Sequence, residues 1–177
     1  MFEEKRVPDR QVRAAQTETT VRVYQACSPA VADVALEKQA FERGGTVPVV
    51  PSFRLAAYGS DNGRKLGHER VLAVDLTREG FEWALAHPGP VLIQWDAERD
   101  LDHTALNFQA IRLTLSGEAV DHYVGEWITA ITDVTPIVRD IAGLLATDQL
   151  HLAVKLVPYE PPYPLGEDLA QAIGATG

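Results

Sequence analysis

The stretch that most limits what this chain can fold into is Glu69-Arg70-Val71-Leu72-Ala73-Val74-Asp75-Leu76, its strongest strand. Aliphatic and β-branched residues of this kind suit the pleated surface of a sheet. Thr77 directly behind it reads as the cap of a helix running through Phe81, Leu85 and His87, with Trp83 on another face and Pro88-Gly89 as the stop. Thr19–Gln25 alternates and is β-branched, so it is a first strand. Ser28-Pro29 then supplies an N-cap and a proline at the first helical position. That helix carries Val31, Val34, Ala35 and Phe41 and ends at Gly44-Gly45.

Further along, residues 47–50 form a short strand between Pro48 and Pro51, residues 52–58 a short helix, and residues 59–63 a mobile loop. Val91–Gln94 and Ala110–Leu115 are two more strands. Ala119, Val120, Tyr123, Val124, Trp127, Ile128 and Ile131 recur at three-and-four spacing, which predicts one amphipathic helix. Thr135-Pro136 starts another, through Ile141 and Leu145. Residues 148–157 fit a helix better than a strand, 158–164 are extended, and a short helix precedes the tail. The expected fold is α+β: a single domain, with a mixed or antiparallel sheet in the N-terminal two-thirds, helices packed on it, and a helical C-terminal third. Its expected organisation is an arm over 1–17, with at most a turn of helix, one domain over 18–173 and a tail over 174–177.

With 177 residues, 46% of them hydrophobic, the chain suits one domain with one core. Its single cysteine, Cys27, has no internal disulfide partner, which fits a reducing cytoplasm. No apolar run reaches the ~20 residues that span a bilayer. The polar start Met1–Arg6 does not resemble a secretory signal. Acidic residues outnumber basic ones 25 to 16, a net charge of −9, which disfavours duplex nucleic acid as a partner. A small-molecule ligand is the expected partner, with no membrane.

Chemistry concentrates in Gln94-Trp95-Asp96-Ala97-Glu98-Arg99-Asp100, read as the polar end of the Val91–Gln94 strand. Strand ends that present amides, indoles and carboxylates are where small-molecule sites form. Asp96, Glu98, Asp100 and Asp102 alternate, but a calcium loop begun at Asp96 would want glycine at its sixth position and glutamate at its twelfth. The chain has Leu101 and Asn107 there, and no metal is expected. The five histidines show no metal spacing. Cys27 reads as a small buried side chain rather than a nucleophile.

Several blocks resemble one family over nearly the whole chain. Arg10-Gln11-Val12-Arg13-Ala14, Glu18–Ala26, Gly67–Leu72, the 94–100 block, Leu115–Val120, Ile131–Thr135 and Tyr163-Pro164-Leu165 are similar to landmarks of the domain of unknown function 4291 family, widespread in bacteria and fungi. That resemblance implies no particular activity. Its pattern usually has an arginine, a tryptophan and a lysine where this chain has Gly45, Pro48 and Val50. It has an aromatic- and methionine-rich run where this chain has Arg54-Leu55-Ala56-Ala57. A pocket lined by this segment would be wider and differently charged.

A weaker resemblance, at fold level, is to ADP-ribosyltransferases. It implies a triad of Gln25, Tyr58 and Gln94, with NAD as the implied cofactor, although Gln25 stands where histidine or arginine is usual. On these readings Gln94, Gln25 and Glu69 are the candidate catalytic residues. Arg13, Arg22, Tyr24, Tyr58, Trp95 and Asp96 are the candidate ligand-binding residues. The expected function is a transferase-like enzyme on a nucleotide-like molecule. One alternative is an enzyme acting on a bulkier, apolar substrate. The other is a non-catalytic module, such as a homodimer through Val124, Trp127 and Ile128.

Overall fold

The computed structural model describes residues 7–177; the expectation for the polar start, and the first part of the arm, lie outside the described residues. The fold is α+β, built on two three-stranded antiparallel sheets. The first contains β1 (Thr20–Cys27), β3 (Arg70–Thr77) and β6 (Ile128–Asp133), with β3 in the middle. The second contains β2 (Val47–Val49), β5 (Ala105–Leu115) and β4 (Val91–Arg99), with β5 in the middle. The sheets meet where Tyr24 N donates to the Val50 carbonyl at 2.7 Å and Val50 N donates back at 3.1 Å.

The apolar run in β3 follows from its central position, with a core on each face. Leu72, Val74 and Leu76 join Val21 and Val23 on one side, while Val71 and Ala73 join Tyr24 and Phe53 on the other. The caps read at Ser28 and Thr77 hold, and Ser52 is a third. Ser28 Oγ accepts from Val31 N above α1 (Pro29–Lys38), Ser52 accepts from Leu55 N above α2 (Phe53–Gly59), and Thr77 accepts from Gly80 N above α3 (Arg78–Ala86). α5 (Thr135–Ala146), α6 (Leu150–Leu156) and α7 (Glu167–Ile173) also lie where expected.

Four local expectations are corrected. α1 stops at Lys38, where Gln39 turns left-handed (φ 53°) and its side chain bonds Ile131 N and O of β6. Its buried face is Ala32 and Ala35, with Val31 and Val34 outward, because small residues let the helix lie close on the sheet. Residues 59–63 are not a free loop: Asp61, Asn62 and Gly63 N–H groups close turns onto Tyr58, Ala57 and Ser60. β4 continues through the polar block to Arg99, because β5 pairs with it that far.

The fourth correction concerns residues 117–131. Only α4 (Glu118–His122) and a π-helical turn at Tyr123–Trp127 are helical, and Ile128 and Ile131 belong to β6. Helical and strand periods both bring Trp127 and Ile131 inward, and β3 as a pairing partner decides for the strand. Trp127 is therefore core, packed on Trp83 and on Gly80, while Val124 and Ile128, also suggested for dimerisation, are half-buried against the same core. Residues 7–17 are extended, with Val12 and Ala14 buried.

A Cβ on Gly80 would sit 2.5 Å from Trp127 Cδ1 and Cγ and 2.9 Å from Thr77 Oγ1. Gly80→Ala is expected to destabilise the fold by about 1–2 kcal/mol, overpacking outweighing the ~1 kcal/mol gain in helix propensity. A thermal melt checks this; a raised Tm would show that the indole simply moves aside.

Candidate functional site

α2 lies against β4, and its two ends line two different spaces. Its C-terminal half, with Leu55, Ala56, Tyr58 and Gly59, forms one wall of a groove of about 700 Å³. Tyr24 and Ala26 of β1, Pro48 and Val50, and Asp96, Ala97, Arg99 and Arg112 of the β4–β5 hairpin complete it, with Lys65 and His103 at its rim. Its first turn, with Ser52 and Arg54, lines a smaller cavity of about 390 Å³ that also holds Arg13, Glu98 and Glu160.

In the groove, Arg99 lies under the Tyr58 ring, 4.1 Å from guanidinium carbon to ring centroid, and donates to the His103 carbonyl at 3.3 Å. Its Nε is buried without a hydrogen-bond partner among the described residues. His103 meets the Tyr58 ring edge-on at 5.5 Å and pairs with Asn62 Oδ1 at 3.3 Å. Arg112 donates to Asp96 Oδ2 at 2.9 Å. The Tyr24 hydroxyl is also buried without a partner among the described residues. Burial pushes its pKa up, Glu160 adds to that, and the Arg22 guanidinium opposes it.

Three candidates from the sequence, Tyr24, Tyr58 and Asp96, therefore share one groove. The triad does not assemble there. Gln25 points to the opposite face of β1, where its Oε1 accepts from the Tyr123 hydroxyl at 2.7 Å. Gln94 is exposed on β4 and outside the groove lining. Strand alternation explains the first: Tyr24 and Ala26 take the groove side, so Gln25 cannot.

The remaining candidates have structural partners. Glu69 Oε1 accepts from Gly67 N at 2.6 Å, closing the turn before β3. Arg22 forks onto Asp75, with bonds of 2.9 and 3.1 Å. The Trp95 indole donates to the Ile173 carbonyl at 2.8 Å and ties down the end of α7. Arg13 lies in the smaller cavity, over the Phe108 ring. Cys27 is buried, its thiol pushed up to about 11 by burial against the opposing pull of Arg70, which leaves little thiolate at neutral pH.

The sequence model of the family described as Domain of unknown function (DUF4291) matches residues 11–163. The chain belongs to that family. No curated protein and no solved structure matches it. The match covers every lining residue of the groove and all of the smaller cavity's but Val7. Of the positions at which the family resemblance implied a departure, Pro48, Val50, Leu55 and Ala56 line the groove, Arg54 lines the smaller cavity, and Gly45 and Ala57 line neither.

Sequence reasoning passed over several lining residues. Glu98 and Arg99 stood in the block already singled out, but their sides of the strand depend on the bulge between Ala97 and Arg99. Arg112 is signalled only by its register opposite Gln94. Lys65, His103 and Glu160 carry no local signal, since each arrives from a turn or a proline-rich segment. Among the described residues, no three His, Cys, Asp or Glu side chains are grouped to hold a metal ion, and no helix is long and apolar enough to cross a membrane.

Proposed function

We propose that this chain is a small-molecule enzyme that takes a nucleotide-like anion in the large groove and acts as a glycosyl or ADP-ribosyl transferase. The observation that carries this is the mixture of charge and aromatic surface in a space of ligand size. Arg99, Arg112 and Lys65 meet Asp61 and Asp96 beside the exposed Tyr58 ring, in a protein whose overall charge is −9. Lys65, which makes no ion pair among the described residues, and Arg112 would face phosphate oxygens. Tyr58, backed by Arg99, would stack on a planar ring.

Asp96 lies two residues beyond Gln94, at the groove lining, and takes the role the sequence suggested for the amide. Its carboxylate would stabilise the cationic sugar-like transition state. The glycosidic C–N bond breaks with its electron pair leaving on nicotinamide. Water or an acceptor nucleophile then bonds the anomeric carbon and releases a proton.

Calorimetric titration with NAD, followed by an assay for free nicotinamide, tests the reading. Saturable binding is expected, weakened at least ~10-fold in Tyr58→Ala and Arg112→Ala. Asp96→Asn is expected to bind but to release nicotinamide at least ~100-fold more slowly. Gln94→Ala separates the two candidates on β4: a comparable loss there would return the role to the amide. Absence of saturable binding by NAD would remove the nucleotide reading.

A second reading is favoured by Pro48, Val50, Leu55 and Ala56. Small or apolar residues at these positions leave room for a bulkier, less polar substrate. Pro48→Trp would then exclude such a substrate while leaving nucleotide binding intact.

A further inference from the structure

The smaller cavity, at the first turn of α2, is not part of the groove and has a charge pattern of its own. Arg13 and Arg54 line it together with Glu98 and Glu160, and the rest of its wall is mostly apolar, including Phe108, Val154 and Val157. Glu98 is already committed. Both its oxygens lie within 2.9 Å of Ser52 Oγ, which donates to it, and Arg99 N donates to Oε1 at 2.9 Å. The guanidinium groups are underused by comparison. Arg54 Nε is buried with no partner among the described residues. Among the described residues Arg13 makes one side-chain hydrogen bond, a long one of 3.3 Å from Nη2 to the Pro8 carbonyl, and it lies 5.0 Å from the Phe108 ring centroid.

Glu160 does not redress the balance. One of its oxygens accepts from Phe53 N at 3.0 Å. Burial chiefly, together with the Glu98 carboxylate and against the pull of Arg54, pushes its pKa up to about 8. Burial thus favours its neutral form, in which the carboxyl can donate as well as accept. Among the described residues the cavity holds two guanidinium groups, one committed carboxylate and one carboxyl that burial biases toward its neutral form. A group with one negative charge and several lone pairs suits this set, as a carboxylate does in a planar arginine fork.

We propose that this cavity is a second ligand site, taking a small organic acid whose carboxylate bonds Arg13 and Arg54 and whose apolar body packs on Phe108, Val154 and Val157. A single carboxylate suits the two guanidinium groups, because the Glu98 carboxylate beside them is committed to Ser52 and Arg99 N. It is independent of the nucleotide reading of the groove, with which it shares no lining residue.

NMR titration of the full chain with phenylacetate, benzoate and hexanoate tests it, with phenylacetamide and inorganic phosphate for comparison. Saturable shifts are expected at Phe108, Val154 and Val157, and none at Tyr58 or Leu55. Arg54→Gln and Arg13→Gln are each expected to weaken binding at least ~10-fold, with cooperative unfolding retained as the check on folding. Arg54→Lys keeps the charge without the fork and should fall between. Binding should weaken as pH rises past 8, where Glu160 ionises beside Glu98, and Glu160→Gln should remove that dependence.

Four results would overturn the site: no saturable shift with any of the three acids to about 20 mM, binding indifferent to both arginines, equal binding of phenylacetamide, or tighter binding of phosphate. NAD titrated into the same sample reports on Tyr58 and Leu55 separately, so failure of one site is distinguishable from failure of the other.

Discussion

Glu98→Ala is expected to lower stability by about 3 kcal/mol, which in a domain of this size is a Tm drop of roughly 6–12 °C. Glu98 is buried, and its carboxylate is the acceptor for two groups that have little access to water, Ser52 Oγ and Arg99 N. Truncation leaves both donors without that acceptor. Each buried orphan costs about 1–3 kcal/mol, and water entering from the adjoining cavity moves the sum toward the lower end. Arg13 also loses a countercharge, since Glu98 raises its pKa against the lowering by burial. Glu98→Gln keeps an acceptor in place and is expected to cost only about 1 kcal/mol. Equal losses in the two variants would mean that charge, not hydrogen bonding, is what Glu98 contributes there. Chemical denaturation of both proteins at neutral pH makes the comparison.

Glu160→Gln is expected to change the pH profile of stability rather than its level in acid. In the folded chain burial pushes the Glu160 pKa up to about 8, against an ordinary value of 4.5. Between those values the native state holds a proton that the unfolded chain has released. The unfolded state therefore binds fewer protons, and unfolding free energy falls as pH rises through this window, by at most ~1.4 kcal/mol per pH unit. Below the window both states are protonated, and above it both are ionised, so the contribution is flat at each end. Glu98, Arg54 and Tyr24 are the charged and titratable groups that face it. Hydration through the cavity limits the native cost, and a difference of about 2 kcal/mol between pH 5 and pH 8 is expected. The amide variant should lose this slope and be the more stable protein at pH 8. Parallel stability curves for the two chains would show that Glu160 ionises freely in the fold.

The two carboxylates also show that position along the chain does not state which space a side chain lines. The block Gln94–Asp100 was conspicuous because it follows an apolar run, and it does supply groups to both spaces: Asp96 and Arg99 to the groove, Glu98 to the cavity. Which of its residues face a site depends on the pairing of β4 with β5 and on the bulge after Ala97, neither of which is visible in seven residues. Gln94 had the more suggestive chemistry and ended outside. Glu160 had none, between Tyr159 and two prolines, and ended against the first turn of α2.

What the sequence determined by itself is everything carried by neighbours along the chain. Ser28, Ser52 and Thr77 cap helices because a side-chain oxygen reaches an N–H three residues ahead, and β3 is a strand because its apolar run suits a two-sided core. Membership of the family is of the same kind, residing in the order of residues over 11–163. The tertiary structure alone decided matters of partnership. Tyr123–Asp133 splits into a π turn and a strand because β3 offers a free edge. Gln25 serves Tyr123 because Tyr24 takes the groove side. Arg13, Ser52, Glu98 and Glu160, separated by up to 147 positions, line one cavity. Local periodicity states which residues share a face; only long-range pairing states what that face meets.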